Sequence, residues 1–141
     1  MKFIAIGELM LRLSPPNYEK IVTTHDFIVN YGGAEANVAV SLANLGVDST
    51  FFTVLPNTDL GKSTINYLKA NDVHTKHIIK ADGRMGLYYL EEGVAVRASQ
   101  AVHWCTVHVL SAGRKMKRMP HGLKRTFHLY AKAVQNSFCR A

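Results

Sequence analysis

Apolar and polar residues follow two different periods along this chain, and the change of period predicts its elements. Residues 3–6 form a short apolar run that ends at Gly7, which predicts a buried strand. Leucines at every second position of 9–13 predict a half-exposed strand that ends at the turn-forming pair Pro15-Pro16. A β-rich segment follows at 25–31 and leads into a pair of glycines.

From residue 34 the apolar period becomes that of a helix. Val38, Leu42 and Leu45 recur on one helical face with small alanines between them, which predicts an inward-facing stripe. Gly46 is the natural end of this helix.

A second helix is predicted over 59–70, with Asn57 or Thr58 as its cap. Its predicted inward residues are Leu60, Ile65 and Leu68. Segments 50–55 and 86–91 predict strands, and 73–80 predicts a strand or a connector.

Strands and helices therefore alternate after residue 33, which predicts a parallel α/β core. The strands near residues 9, 27 and 87 do not fit such a core. They predict a second, smaller antiparallel layer.

Charge divides the chain more sharply than hydropathy does. All ten acidic residues lie at or before Glu92, where eight Lys and Arg leave a net charge of −2. Residues 93–141 hold nine Lys and Arg and no acid, so the overall charge of +7 describes neither part. The basic part has weak signals for a strand over 101–110 and a helix over 123–134.

Several function classes find no support in the composition. Cys105 and Cys139 match no zinc spacing, and the seven histidines form no spaced metal site. Glu8 and Arg12 interrupt the opening apolar run too early for a signal peptide, and no run of about twenty apolar residues exists. Lys62 after Gly61 does not complete a Walker motif. We expect a soluble, cytoplasmic protein.

Candidate chemistry centres on the segment Tyr31-Gly-Gly-Ala-Glu-Ala-Asn37. Two glycines that leave a strand and lead directly into a helix bring exposed backbone N–H groups to one point, which suits polar or anionic ligand atoms. Asn37 lies in the first turn, where its amide both donates and accepts hydrogen bonds. A purely structural turn has the same local pattern.

Three further segments give this turn its context. GELMLRLSPP at 7–16 precedes it, while LPNTDLG at 55–61 and GLYYLE at 86–91 follow it. In this order and spacing, the segments resemble the PfkB (ribokinase-like) carbohydrate kinases, and within them the 2-keto-3-deoxygluconate kinases. The resemblance covers about residues 2–100.

The resemblance implies an incomplete Rossmann-like ribokinase core with a small antiparallel β lid over a sugar site. It implies a lid hinge at Gly32 and Gly33. The implied substrate-binding residues are Gly33, Ala34, Glu35, Ala36, Asn37 and Tyr88. In a complete member the cofactors are ATP and Mg²⁺, the sugar acid is the partner, and the lid strands mediate self-association.

Four acidic or aromatic positions keep alternative interpretations. Tyr88 and Tyr89 must point to opposite faces of a strand, and only the family resemblance favours Tyr88 for the ligand. Glu35 is equally well explained as a first-turn acid that suits the helix dipole. Glu8 is better explained as structural than as catalytic.

The family's late GAGD-type motif, which supplies the catalytic base and an anion hole, does not occur in this sequence. We therefore predict no catalytic residue, and poor binding of ATP and Mg²⁺ by this chain alone. Read in a shifted frame, the codons for residues 104–111 can encode a segment that resembles the family's missing YYRAxSAI. We expect domain boundaries of 1–100, a kinase amino-terminal part, and 101–141, a poorly ordered, out-of-frame basic tail.

The function predicted is that of an amino-terminal fragment of an ATP-dependent kinase that forms the 6-phosphate of 2-keto-3-deoxygluconate, inactive alone. Two alternatives stay open. One is a non-enzymatic remnant, and the other is a binding module whose basic tail contacts nucleic acid or an acidic surface.

Overall fold

The computed structural model describes the backbone of residues 1–104, in which strands and helices alternate. The elements are β1 (Lys2–Ile6), β2 (Met10–Ser14), β3 (Ile28–Gly32), α1 (Ala34–Asn44), β4 (Asp48–Phe52), β5 (Val54–Pro56), α2 (Asp59–Ala70), β6 (Ile79–Ala81), β7 (Leu87–Glu91) and β8 (Gln100–Trp104). The order confirms the predicted α/β class. The predicted helix at 123–134, and the predicted strand at 101–110 beyond Trp104, lie outside the described residues.

Two parallel strand pairs form the α/β part. β1 pairs with β4, and β5 pairs with β6. β4 and β5 are separated only by Thr53, and a parallel bridge between Thr50 and His74 continues the pairing beside them. Parallel neighbours cannot be joined by a hairpin, and α1 and α2 provide the required crossovers.

The remaining strands form one four-stranded sheet in the order β3-β2-β7-β8. Its two outer pairings are antiparallel; that of β2 with β3 agrees with the prediction, whereas β8 was not predicted to join this layer. The central pairing, of β2 with β7, is parallel and corrects the expectation of a wholly antiparallel layer. No hairpin connects these two strands, because both α/β crossovers lie between them in the chain.

Helix α1 packs on the sheet with the face opposite to the predicted one. Ala36 and Ala39 are buried against β1 and β4, whereas Val38 is 49% exposed and Leu45 is 79% exposed. The prediction of an inward stripe of large residues is therefore wrong. Small side chains let the helix axis approach the strands closely, and the helix then turns its larger residues outward. Gly46 ends the helix as predicted, with a φ of +80°.

Helix α2 begins and ends where the sequence predicts. The Thr58 hydroxyl accepts a hydrogen bond from the backbone N–H of Gly61, which confirms Thr58 as the cap. Leu68 is fully buried as predicted. Leu60 is 47% exposed, so its predicted inward position is wrong. It lies in the first turn, next to Gly61, which packs against the backbone of Pro56.

Tyr31 joins the four-stranded sheet to the α/β part. It packs against both buried clusters, one around Phe51 and the other around Leu55. Its hydroxyl is 2.6 Å from the Ser63 hydroxyl on α2, and its ring lies 5.0 Å from that of Tyr67. Among residues 1–104, no helix is long and apolar enough to cross a membrane.

Candidate functional site

The two glycines of the predicted turn lie where the four-stranded sheet meets α1. Gly32 is the last residue of β3 and is buried, while Gly33 is the N-cap of α1. Gly33 has a φ of −177° and a ψ of 133°, an extended conformation that any residue can adopt. Its need for glycine is steric, because a Cβ there would overlap the carbonyl oxygen of Glu8. We call this meeting point of 7–8, 32–37 and 86–88 the junction.

Tyr88 points into the junction from the four-stranded sheet. A Cβ added to Gly32 would overlap the Tyr88 hydroxyl, so the phenol lies directly against this glycine. The neighbouring Tyr89 packs edge-on against Phe27 instead, with ring centroids 5.5 Å apart. The two tyrosines thus have different surroundings, as strand alternation requires. That Tyr88 contacts a substrate stays a prediction.

The first turn of α1 presents the other predicted residues unequally. Ala34 and Asn37 are exposed, and Glu35 is half-buried. The backbone N–H of Asn37 donates to the Gly33 carbonyl at 2.8 Å, so only its side-chain amide can reach a ligand. Ala36 is buried in the cluster around Phe51, where its methyl group cannot contact a ligand. The first N–H groups of a helix have no acceptor inside it, which makes this end suitable for polar ligand atoms.

Two carboxyl groups come together at the junction. A Cβ added to Gly7 would lie 2.5 Å from the Oε2 of Glu35, so this carboxyl covers the residue next to Glu8. Glu8 in turn reaches toward Gly86, where its Oε1 lies 3.2 Å from an added Cβ. Burial, and then the nearby charge of Glu35, raise the pKa of the Glu8 carboxyl above its ordinary value.

Sequence reasoning did not identify Gly7 and Gly86 as part of this site. Gly7 directly follows β1 and Gly86 directly precedes β7, and both glycines occur in the motifs that carry the family resemblance. Their positions next to strand ends were the signal that the sequence offered. Neither has room for a side chain, because Glu35 faces Gly7, whereas Met10 and Glu8 face Gly86. The junction is thus built from four glycines on three segments that are distant in sequence.

The junction offers hydrogen-bond acceptors and donors but no metal-binding cluster. The two carboxyls can accept hydrogen bonds from hydroxyl groups, while the Asn37 amide, the Tyr88 hydroxyl and the start of α1 can donate them. Among residues 1–104, no group of three or more His, Cys, Asp or Glu side chains is arranged to hold a metal ion. Such a set suits a small polyhydroxylated molecule.

Comparison with known proteins supports this interpretation. The profile described as pfkB family carbohydrate kinase matches residues 2–105. The 2-dehydro-3-deoxygalactonokinase of Haloferax volcanii is 34% identical over 102 residues, which are 72% of this chain and 32% of that protein.

Solved structures agree. The 2-dehydro-3-deoxygluconokinase of Thermotoga maritima superposes with a TM-score of 0.72 and 47% identity, over 73% of this chain and 32% of that chain. A PfkB family carbohydrate kinase from Listeria grayi gives a TM-score of 0.71 and 38% identity, with the same coverage. This chain spans about a third of the length of these relatives. It belongs to the pfkB family of carbohydrate kinases.

Proposed function

We propose that this chain carries the sugar-binding side of an ATP-dependent kinase for 2-keto-3-deoxygluconate. The observation that carries the proposal is the junction, where a tyrosine from the four-stranded sheet, two glycines and the start of α1 meet around a pair of carboxyls. The names of the Thermotoga and Haloferax relatives support a 2-keto-3-deoxy sugar acid as the substrate class.

Four of the predicted residues, Gly32, Gly33, Asn37 and Tyr88, have roles in this proposal, whereas the buried Ala36 has none. Gly33 allows close approach of a ligand to the backbone, and Asn37 bonds a substrate hydroxyl or carbonyl. Tyr88 covers the sugar with its ring, and the four-stranded sheet acts as a lid that hinges at Gly32 and Gly33. Closure of such a lid excludes water during phosphoryl transfer.

We further propose that this chain alone transfers no phosphoryl group. ATP and Mg²⁺ belong to the complete family member, in which Mg²⁺ offsets the charge of the phosphates. The sequence holds no GAGD-type segment to supply a base for the acceptor hydroxyl. The expected cellular location is the cytoplasm, where ATP and sugar acids are available.

Binding and turnover test the two proposals separately. Saturation-transfer NMR of the purified chain with 2-keto-3-deoxygluconate should give a signal that Tyr88→Ala removes. The matched control is Tyr67→Ala on α2, which removes a tyrosine outside the junction and should keep the signal. An equal signal in wild type and Tyr88→Ala would contradict the assigned site. ADP release that depends on the sugar acid, with ATP and Mg²⁺ present, would refute the proposed inactivity.

The basic tail has its own proposal and test. We propose that it arises from out-of-frame translation beyond about residue 100. Strand β8 crosses that boundary and continues to Trp104, in antiparallel pairing with β7. Sequencing of the locus tests this proposal. If no alternative frame encodes a YYRA-like continuation, the proposal is contradicted.

We also propose self-association through the lid strands. Val29 on β3 and Val102 on β8 lie in one row across the sheet and leave apolar surface exposed on the same face. Light scattering should find a dimer that Val29→Lys dissociates, whereas Val22→Lys, at an exposed site before β3, should not. A monomer at all concentrations would contradict the proposal.

A further inference from the structure

Arg12 lies in the middle strand of the four-stranded sheet, and its position in the pleat fixes the direction of its side chain. Leu11 and Leu13, on either side of it, pack with the buried cluster of Leu55 and Met85. Successive side chains of a strand point to opposite faces. Arg12 therefore points away from that cluster, onto the other face of the sheet.

The other face is the one that carries Tyr88. In the register of the sheet, Arg12 lies opposite Asn30 of β3 and opposite Tyr88 of β7. Side chains at directly opposed positions share a face and lie within contact range. Since the Tyr88 hydroxyl reaches Gly32, Arg12 borders the same surface on the side away from the junction.

Arg12 has no counter-charge in the described part of the chain. Its Nε is buried and makes no hydrogen bond there. The ion pairs found among residues 1–102 join Lys62 to Asp59, His74 to Asp48, and Arg97 to Glu91. A guanidinium stays charged at all physiological pH values, and a buried polar group without a partner is unfavourable. Its planar set of donors fits a carboxylate with two parallel hydrogen bonds.

We propose that Arg12 binds the carboxylate of the sugar-acid substrate and sets the preference for sugar acids over neutral sugars. This inference rests on the proposed function and names the residue that recognises the acid group. The charges of the surface also orient the ligand. Glu8 and Glu35 at the junction repel a carboxylate and accept hydrogen bonds from hydroxyls, so the acid end faces Arg12 and the hydroxyl end faces the junction.

The test compares Arg12→Met, which removes the charge but keeps the length of the side chain, with Arg84→Met at an exposed arginine. Titration calorimetry with 2-keto-3-deoxygluconate should give an affinity about 10–100-fold lower for Arg12→Met than for wild type. Arg84→Met should bind as wild type does. Binding of fructose, a neutral ketose, should be the same for all three proteins.

A stability measurement separates recognition from a structural role. Because Arg12→Met removes a charge that forms no ion pair among residues 1–102, its urea midpoint without ligand should equal or exceed that of wild type. Arg12→Lys keeps the charge but cannot form two parallel hydrogen bonds to a carboxylate. Its affinity for the sugar acid should lie between those of wild type and Arg12→Met.

Two outcomes overturn the inference in distinguishable ways. If wild type and Arg12→Met bind the sugar acid equally well, Arg12 does not recognise the carboxylate, and the proposed function still stands. If wild type binds no sugar acid at all, the proposed function fails and takes this inference with it.

Discussion

Gly33 gives the sharpest test of how the junction is built. In a Gly33→Ala variant, the new methyl would overlap the Glu8 carbonyl oxygen and lie 3.3 Å from its carbon and 3.4 Å from the Cα of Leu9. All three are backbone atoms, which cannot rotate out of the way. The variant must therefore move the segment that joins β1 to β2 away from the start of α1.

The size of the effect follows from two opposing contributions. Overpacking of this kind lowers the free energy of unfolding by about 1–3 kcal/mol. Replacing a glycine restricts the unfolded chain, which raises the free energy of unfolding by about 0.4–1 kcal/mol. The extended backbone at Gly33 adds no conformational penalty. We expect a net loss of about 1–2 kcal/mol, which lowers the urea midpoint by about 0.5–1 M.

Gly46 is a matched control because it needs glycine for its backbone conformation and not for lack of space. Its φ is +80°, and no atom lies within 4 Å of an added Cβ. Alanine there suffers only from the left-handed backbone conformation, which asparagine tolerates. Gly46→Asn should therefore be nearly neutral, whereas Gly33→Asn should lose as much stability as Gly33→Ala or more.

Urea unfolding followed by far-ultraviolet circular dichroism distinguishes the two requirements. The steric explanation predicts that asparagine rescues position 46 and not position 33. The explanation would be refuted if both Gly33→Ala and Gly33→Asn unfolded at the wild-type urea midpoint. It would also be refuted if asparagine restored stability at position 33 as completely as at position 46.

Three further predictions concern α2 and the junction acids. Leu68→Ala should lower the free energy of unfolding by about 2–5 kcal/mol, because Leu68 is fully buried. Leu60→Ala, at an exposed site of the same helix, should change it by only about 0.5 kcal/mol, and equal losses in urea unfolding would contradict the assigned faces. Thr58→Ala should cost about 1 kcal/mol through loss of the cap, whereas Thr58→Ser should not, as measured by thermal unfolding. The raised pKa of Glu8 means that the folded state holds this proton more tightly than the unfolded state does. The contribution of Glu8 to the free energy of unfolding should be greatest below the ordinary pKa of the carboxyl and fall as the pH rises through the folded-state pKa. Glu8→Gln should remove this fall and be the more stable protein at neutral pH, while Glu92→Gln, at an exposed acid, should keep the wild-type profile. Parallel pH profiles for wild type and Glu8→Gln would exclude the assigned cause.

Helix α2 shows what local sequence can predict. A capping hydroxyl at Thr58, an acid directly after it and a helical apolar period fix both ends of the segment without any tertiary information. The same reasoning placed Leu68 in the core. These signals suffice because every group that they involve lies within one or two helical turns.

Helix α1 shows where such reasoning fails. Its sequence has apolar residues on two faces, large ones at Val38 and Leu45 and small ones at Ala36 and Ala39. Hydrophobicity favours the large residues for the core. The structure selects the small ones, because a helix that follows a junction of closely packed glycines must lie near the strands. The distance between helix and sheet decided the face, and no single-helix pattern contains that distance.

The sequence predicts only part of the candidate site, for a related reason. The turn at 32–37 can be predicted from its glycines and from the helix that follows. The pairing of Glu8 with Glu35 depends on how β1 enters the junction, and the central parallel pairing depends on two intervening crossovers. Both are contacts between segments that are far apart in sequence. The family resemblance supplied Tyr88, which local pattern alone could not separate from Tyr89.

The glycines of the three motifs acquire a common explanation from the structure. Gly7, Gly32, Gly33 and Gly86 come from three separate segments, and an added Cβ at each would lie within 3 Å of a neighbouring atom. None of them needs a positive φ, since among the described residues Gly46 and Gly83 are the glycines with that conformation. Their shared role is close approach of backbone to backbone or to a functional side chain. Because all four lie before residue 92, the described part of the chain contains the whole junction. The proposed binding of a sugar acid can therefore be tested directly on this chain.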